Sequence, residues 1–282
     1  MGTFFSSLRE STRNEDDWHS SKGRFVEGHY DPSQEDVYAV RKFLIAFVPP
    51  ELANIILDEA EYWPCVRCGS ATPVSIAASD SPDSDSKWCY LVTPPIFRGQ
   101  HEDPEGERLV KVRRIKFRFN SCDQGWGGDP ELAGPYQGSW TWFEAAIYRH
   151  FDEGTMPGSE QQVADVEKDM RVAPLQSELD DAGVMLVPNT RFNSDVWQIQ
   201  RNVRASNTPR NHEVVWGDDE RDNEHIEGFA YREVDDETGR GKGAGFINAL
   251  LPGDRIAIIV RARFPAWVNI VHSAEIEVFS SV

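Results

Sequence analysis

Long apolar runs, surplus positive charge and a cysteine framework are all missing from this chain, and each absence excludes a class of protein. None of its 282 residues lies in a run approaching the roughly 18–20 consecutive apolar positions that cross a bilayer. The longest runs, Phe43–Val48 and Ile256–Val260, are sized for a core. The N-terminus lacks a basic region followed by an apolar stretch, so export is not expected. Lys and Arg number 29 against 47 Asp and Glu, a net charge of −18. Sequence-independent nucleic-acid binding rests on neutralising phosphates, and this balance excludes it as the main task. The four cysteines, Cys65, Cys68, Cys89 and Cys122, are too few for a small disulfide scaffold and suit a reduced, cytoplasmic setting. Cys65 and Cys68 have metal-like spacing, but a structural zinc site normally needs a second such pair. No metal and no cofactor is expected.

What the chain does have is aromatic weight: 9 Trp and 15 Phe within 39% hydrophobic residues can support a sizeable core. Residues 1–33 are polar and aperiodic and read as a disordered tail. The tail opens Met1-Gly2-Thr3-Phe4-Phe5-Ser6, which matches an N-myristoylation pattern at Gly2. One such chain gives only weak membrane association. Residues 34–68 read as a helical hairpin. Val37, Val40, Phe43, Leu44 and Phe47 form one stripe, Pro49-Pro50 breaks it, and Leu52, Ile55, Ile56 and Ala60 resume it. Residues 69–87, with Ser79-Asp80-Ser81-Pro82-Asp83-Ser84, read as an acidic Ser-rich linker.

Residues 88–282 carry the alternation of β-structure. Val110, Val112, Ile115, Phe117 and Phe119 alternate with Lys111, Arg113, Lys116 and Arg118, and further strands are expected at 139–148, 196–205, 212–216, 255–263 and 267–279. No helical segments intervene, so the expected fold is mainly β: an antiparallel, jelly-roll-like sandwich with a short N-terminal helical hairpin. Two acidic loops interrupt it at 152–185 and 217–240.

The candidate site is the turn carrying Asp123, Gln124 and Trp126 beside a strand placing Trp140, Trp142 and Glu144 on one face. Flat rings next to directed polar groups suit recognition of a protein or carbohydrate ligand. The competing reading puts the tryptophans in the core and uses Asp123 and Gln124 to satisfy turn amides. Asp123 and Glu144 are also the carboxylates that a carbohydrate-active hydrolase would need, although a binding protein rather than an enzyme is expected. Gln198, Gln200 and Asn202 form a second polar set on one strand face, and Arg261, Arg263 and Asn269 a third. Gly239-x-Gly241-x-Gly243-x-Gly245 lacks the flanking strand, helix and Lys-Ser/Thr of a phosphate loop. Asp218, Glu220, Asp222 and Glu224 alternate like calcium ligands, yet Asn223 and Phe229 occupy positions where an EF-hand needs Gly and Glu.

Ser121–Trp126, Ser139–Glu144 and Gly253–Trp267 resemble a Ser-x-Asp-Gln-Gly-Trp turn, a Ser-Trp-Thr-Trp-Phe-Glu strand and a Gly-Asp-Arg-Ile…Arg-Ala-x-Phe-Pro-x-Trp close. These motifs are shared by a group of fungal proteins of uncharacterised function. That resemblance spans about residues 88–282 and implies a fold without an activity. Val48-Pro49-Pro50-Glu51-Leu52 is similar to the start of an F-box, and helices followed by a β-sandwich resemble the F-box plus F-box-associated arrangement. That likeness implies a substrate adaptor of a ubiquitin ligase, docking its linker protein through Phe47–Leu57. An F-box uses about 40 residues in three helices, whereas this sequence offers one or two before the expected linker.

Overall fold

The computed structural model describes residues 24–26, 29–96, 111–129, 131–150, 183–217 and 233–281. Alternation builds its main body. In β6 (Val112–Cys122), buried Ile115, Phe117 and Phe119 alternate with half-exposed Arg114, Lys116 and Arg118, the period-two pattern of a strand covered on one face. β6 lies between β10 (Arg210–Gly217) and β12 (Val268–Ser280). The other edge of β12 is shared by β3 (Cys65–Ser70) and β4 (Val74–Ala77). The second sheet runs β5 (Asp85–Val92), β11 (Arg255–Arg263) and β7 (Thr141–His150). The short strands β8 (Val184–Leu186) and β9 (Trp197–Arg201) both pair with the far edge of β7. Every pairing is antiparallel, and the two sheets form a β-sandwich.

Phe119 of one sheet stacks on Phe143 of the other with centroids 4.1 Å apart. Ile115, Ile147, Ile199, Ile256, Ile258 and Ile276 are fully buried in the same core. Each such side chain contributes about 1.5–3 kcal/mol by leaving water. The side of the sandwich between β9 and β10 is closed by residues 233–250, including the one-turn helix α3 (Phe246–Ala249). Phe246 meets Trp197 at 5.0 Å and Trp216 at 4.9 Å, and the two indole N–H groups donate to the carbonyls of Ala244 and Gly241. Here lies the reason for the glycine repeat. Gly241 donates to the Ile199 carbonyl, and a Cβ on it would stand 1.6 Å from the Gln198 carbonyl oxygen. Gly243 has φ +62° and faces the Trp216 ring, where a Cβ would come within 2.1 Å.

The N-terminal third differs from expectation. Part of the supposed tail pairs as β1 (Arg24–Val26) with β2 (His29–Asp31). The helical hairpin is α1 (Gln34–Leu44) and α2 (Pro50–Glu59), so it ends before residue 68, and β3 already belongs to the sandwich. Residues 69–87 are not a linker: they form β4, a 3-10 turn at Ala78–Asp80 and the start of β5. Their serines and aspartates satisfy tight turns, with Ser86 Oγ donating to the Ala77 and Ala78 carbonyls, while β12 supplies the hydrogen-bonding edge that makes a strand of Val74–Ala77.

α1 begins with a capping box: Ser33 Oγ accepts from the Asp36 amide at 3.1 Å and the Asp36 carboxylate accepts from the Ser33 amide at 2.9 Å. α2 begins with Pro50, whose missing amide costs nothing in the first turn. Val37 and Leu57 form a small core of their own, backed by Tyr38, Leu44 and Tyr62. Ion pairs tie this unit to the sandwich: Asp58 with Arg113, Glu61 with Arg114 and Asp31 with Arg67. No helix among the described residues is long and apolar enough to cross a membrane.

Candidate functional site

The end of the sandwich where β6 gives way to β7 and β11 to β12 holds most of the motif residues. Asp123, fully buried, accepts from the amides of Gly125 at 2.9 Å and Ala205 at 2.6 Å. Burial pushes its carboxyl up, and the amides facing it partly offset that. Gln124 accepts from the Val268 amide at 3.0 Å and donates to the Trp126 carbonyl at 2.7 Å. Both side chains therefore organise the turn, and neither Asp123 oxygen is presented to solvent.

Beneath the turn lies a closed polar network. Asn202 accepts from Ser121 Oγ at 2.7 Å and donates to Thr141 Oγ1 and Asn269 Oδ1. Asn269 in turn donates to the carbonyls of Trp142 and Arg261. All four side chains are fully buried, and their mutual bonds fix the ends of both sheets. The expected glutamine face does not form. A register shift opposite Phe143 and Glu144 breaks the alternation of β9, leaving Gln198 across from Glu144 and Gln200 buried against the Thr238 and Arg201 carbonyls.

On that fixed base stand exposed aromatics. Trp126 is 60% exposed at the tip of its turn and Trp140 is 38% exposed at the entrance to β7. Phe264, 41% exposed in the β11–β12 turn, meets Trp140 edge-on at 4.5 Å, and the Arg263 guanidinium lies 5.2 Å from its ring centroid. Phe264 and Ala266 hold φ of +68° and +72°, which non-glycine residues rarely adopt, and the Phe264 amide is anchored on the Ser84 carbonyl at 2.8 Å. Phe264 completes the group, and its Phe-Pro-Ala-Trp context between two predicted strands was the available signal.

Trp142 and Glu144 share the outer face of β7, since Phe143 and Ala145 fill the core. Trp142 Nε1 donates to Glu144 Oε1 at 2.7 Å, Arg261 Nη1 donates to Glu144 Oε2 at 2.7 Å, and the Arg261 guanidinium lies 5.0 Å from the Trp142 ring centroid. Asp85 binds the same guanidinium. Glu233 comes from the edge of the second acidic insertion and accepts from the Gln198 amide at 2.8 Å. Burial pushes its carboxyl up, and the nearby Glu144 charge adds to that. No sequence pattern marked Glu233.

A second surface lies on the helical hairpin. Phe43 is 65% and Phe47 74% exposed, and Ile45, Leu52, Ile55 and Ile56 are exposed beside them. Cys65 and Cys68 stand three residues apart on an extended strand, which puts the two thiols on opposite faces and prevents joint ligation. Gly2, the whole of 152–182 and the alternating acids at 218–224 lie outside the described residues. Comparison with known proteins finds no family model and no curated protein that matches the chain.

Proposed function

We propose that this is a protein-binding module whose recognition surface is the aromatic group Trp126, Trp140 and Phe264 at one end of the sandwich. The observation that carries the reading is three exposed large rings on turns that a buried network holds rigid. Exposing such rings forgoes burial that each could contribute, which is how binding patches are marked. A protein partner suits the group better than a sugar. Sugars need directed polar groups beside the ring, and here Asp123, Gln124, Asn202 and Asn269 are occupied by the fold. Trp with a neighbouring Arg is the composition of an interface hot spot. Hydrolysis by Asp123 and Glu144 draws no support from a buried Asp123 bonded to backbone. Four cysteines held as thiols suit a reducing, cytoplasmic setting.

The test is affinity capture with the full chain, comparing wild type with Trp126→Ala and Trp140→Ala. Both sites are exposed, so each variant should keep its stability within about 0.5 kcal/mol and lose the captured partner. Retention of every partner by both soluble variants would refute the reading.

The exposed hairpin face favours a second reading, an F-box-like adaptor that docks the ligase linker protein through Phe47–Leu57. Phe47→Asp would then remove ligase components from the capture and leave the Trp-dependent partners in place.

A further inference from the structure

One long strand edge of the sandwich is neither covered nor blunted. The N–H and C=O groups of a strand alternate between its two edges, so an open sheet ends in a row of groups able to hold another strand. At other edges, β3, β4 and β8 are only three to six residues long. β5 has eight residues, but a register shift interrupts its pairing with β11 and Lys87 stands exposed on it. β9 is covered: the Gly239 carbonyl accepts from the Arg201 amide, and the Gly241 amide donates to the Ile199 carbonyl. Short strands, bulges and exposed lysines are ordinary ways of blunting an edge. β10 uses none of them. Its eight residues keep an unbroken register with β6 and include no proline or lysine. Among the described residues its backbone pairs with no strand but β6.

The outer face of the same sheet specifies what fits that edge. One row across β10, β6 and β12 is Glu213, Arg118 and Glu275, and the next is Val215, Lys116 and Glu277, with Arg67 of β3 beyond. Arg118 lies 2.9 Å from Glu213 and 3.5 Å from Glu275, and Lys116 lies 3.8 Å from Glu277, so charge alternates from strand to strand. The first row ends at the open edge on an exposed carboxylate that Arg118 pairs from the β6 side. A strand that continues the alternation carries a cation opposite Glu213. Two residues along, it carries an apolar side chain opposite Val215, which is 47% exposed. A second copy of β10 does not meet this requirement. Opposed residues share a face, and the outward residues of β10 are Asn211, Glu213, Val215 and Gly217, none of them cationic.

We propose that β10 is the docking edge for an extended segment of a partner protein, which joins the sheet as a further strand and sets a lysine or arginine opposite Glu213. Main-chain hydrogen bonds to the open edge hold the segment, and its alternate side chains, the cation and its apolar neighbour, select it. A basic segment also suits a chain of net charge −18. The inference goes beyond the aromatic surface and does not rest on it, because the groups that bind are backbone.

The experiment selects random nonapeptides displayed on phage against the full chain, then follows amide exchange in the chain with a selected peptide bound. Selected peptides are expected to carry a lysine or arginine two residues from an apolar residue, and to slow exchange of alternate amides in β10. N-methylation of one set of alternate peptide residues, those facing β10, should weaken binding by about tenfold or more, and N-methylation of the other set should leave it unchanged. Glu213→Gln, at an exposed position, should weaken binding by about fivefold in the folded chain. Failure to enrich any peptide, unchanged exchange in β10, or equal loss from either set of N-methyl groups would overturn the proposal. A concentration-dependent dimer with β10 protected in the absence of peptide would give the edge to a second copy and overturn it too. Trp126→Ala should abolish partner capture at the aromatic surface and leave peptide binding intact, so the two readings fail separately.

Discussion

The sandwich and the helical hairpin bury their apolar residues by opposite strategies. The sandwich seals a continuous core from Ile76 to Val278, spans it with a fully satisfied polar network, and closes its open side with a glycine-rich segment. The hairpin has Val37 and Leu57 for a core, yet carries Phe43, Phe47, Ile55 and Ile56 on its surface. Ion pairs from the end of α2 to Arg113 and Arg114 tie it to the sandwich, and these are partly exposed and individually weak. The contrast is between a scaffold that seals its own core and a unit that, among the described residues, leaves most of its large apolar side chains exposed.

The sharpest way to break this comparison is at Gly241. Replacement by Ala would set a methyl against the Gln198 carbonyl, a backbone atom that cannot turn aside. Loss on the order of 3 kcal/mol or more is expected across the whole sandwich, read by chemical denaturation. A smaller, pH-dependent effect is expected at Glu277, which is 3% exposed. Burial alone would raise its carboxyl, but hydrogen bonds and charge from Arg67 and Arg118 outweigh that and hold it below its ordinary value. Its contribution is therefore full above the unfolded carboxylate range, near about 4.3, and is lost as pH falls through the depressed folded value. Glu277→Gln should cost about 2 kcal/mol at neutral pH and flatten that acid limb, measured by unfolding between neutral and acid pH. The smallest effect belongs to the hairpin. Asp58→Asn with Glu61→Gln should cost no more than about 1 kcal/mol. Amide exchange should rise in α1 and α2 and stay unchanged in β6 and β12; a rise throughout would show the two units to be one cooperative body.

The strands that were legible in the sequence are those whose two faces meet different surroundings. The Ile115–Arg118 alternation sufficed to place β6, and the three- and four-residue stripe placed α1 and α2. Val74–Ala77 was illegible because so short a segment, Val-Ser-Ile-Ala, becomes a strand only when β12 offers its edge. Parity failed in β9, where one extra residue reverses the faces beyond it and sends Gln200 inward. At the candidate site, parity put Trp142 and Glu144 on the outer face of β7, but exposure depends on position along the strand. Trp140 is exposed because it sits at the entrance to β7, beyond the covering network. Asp123 and Gln124 carry recognition chemistry in one dimension, yet the neighbouring chain at 205 and 268 consumes it in three.

The strand order has a consequence for how the molecule is made. β12 is the strand against which β3, β4 and β6 align, and β11 is flanked by β5 and β7. These two central strands are the last two in the sequence. During synthesis β6 can pair with β10 and β7 with β8 and β9, but β3, β4 and β5 have no strand to join, and neither sheet is complete, until residues 255–280 emerge. Pairings as distant as Cys65 with Phe279 place the decisive step late and make it slow, as non-local β-topologies are. Until those two strands arrive, β3, β4 and β5 are open strand edges, the kind of surface on which a partly made chain can pair with another.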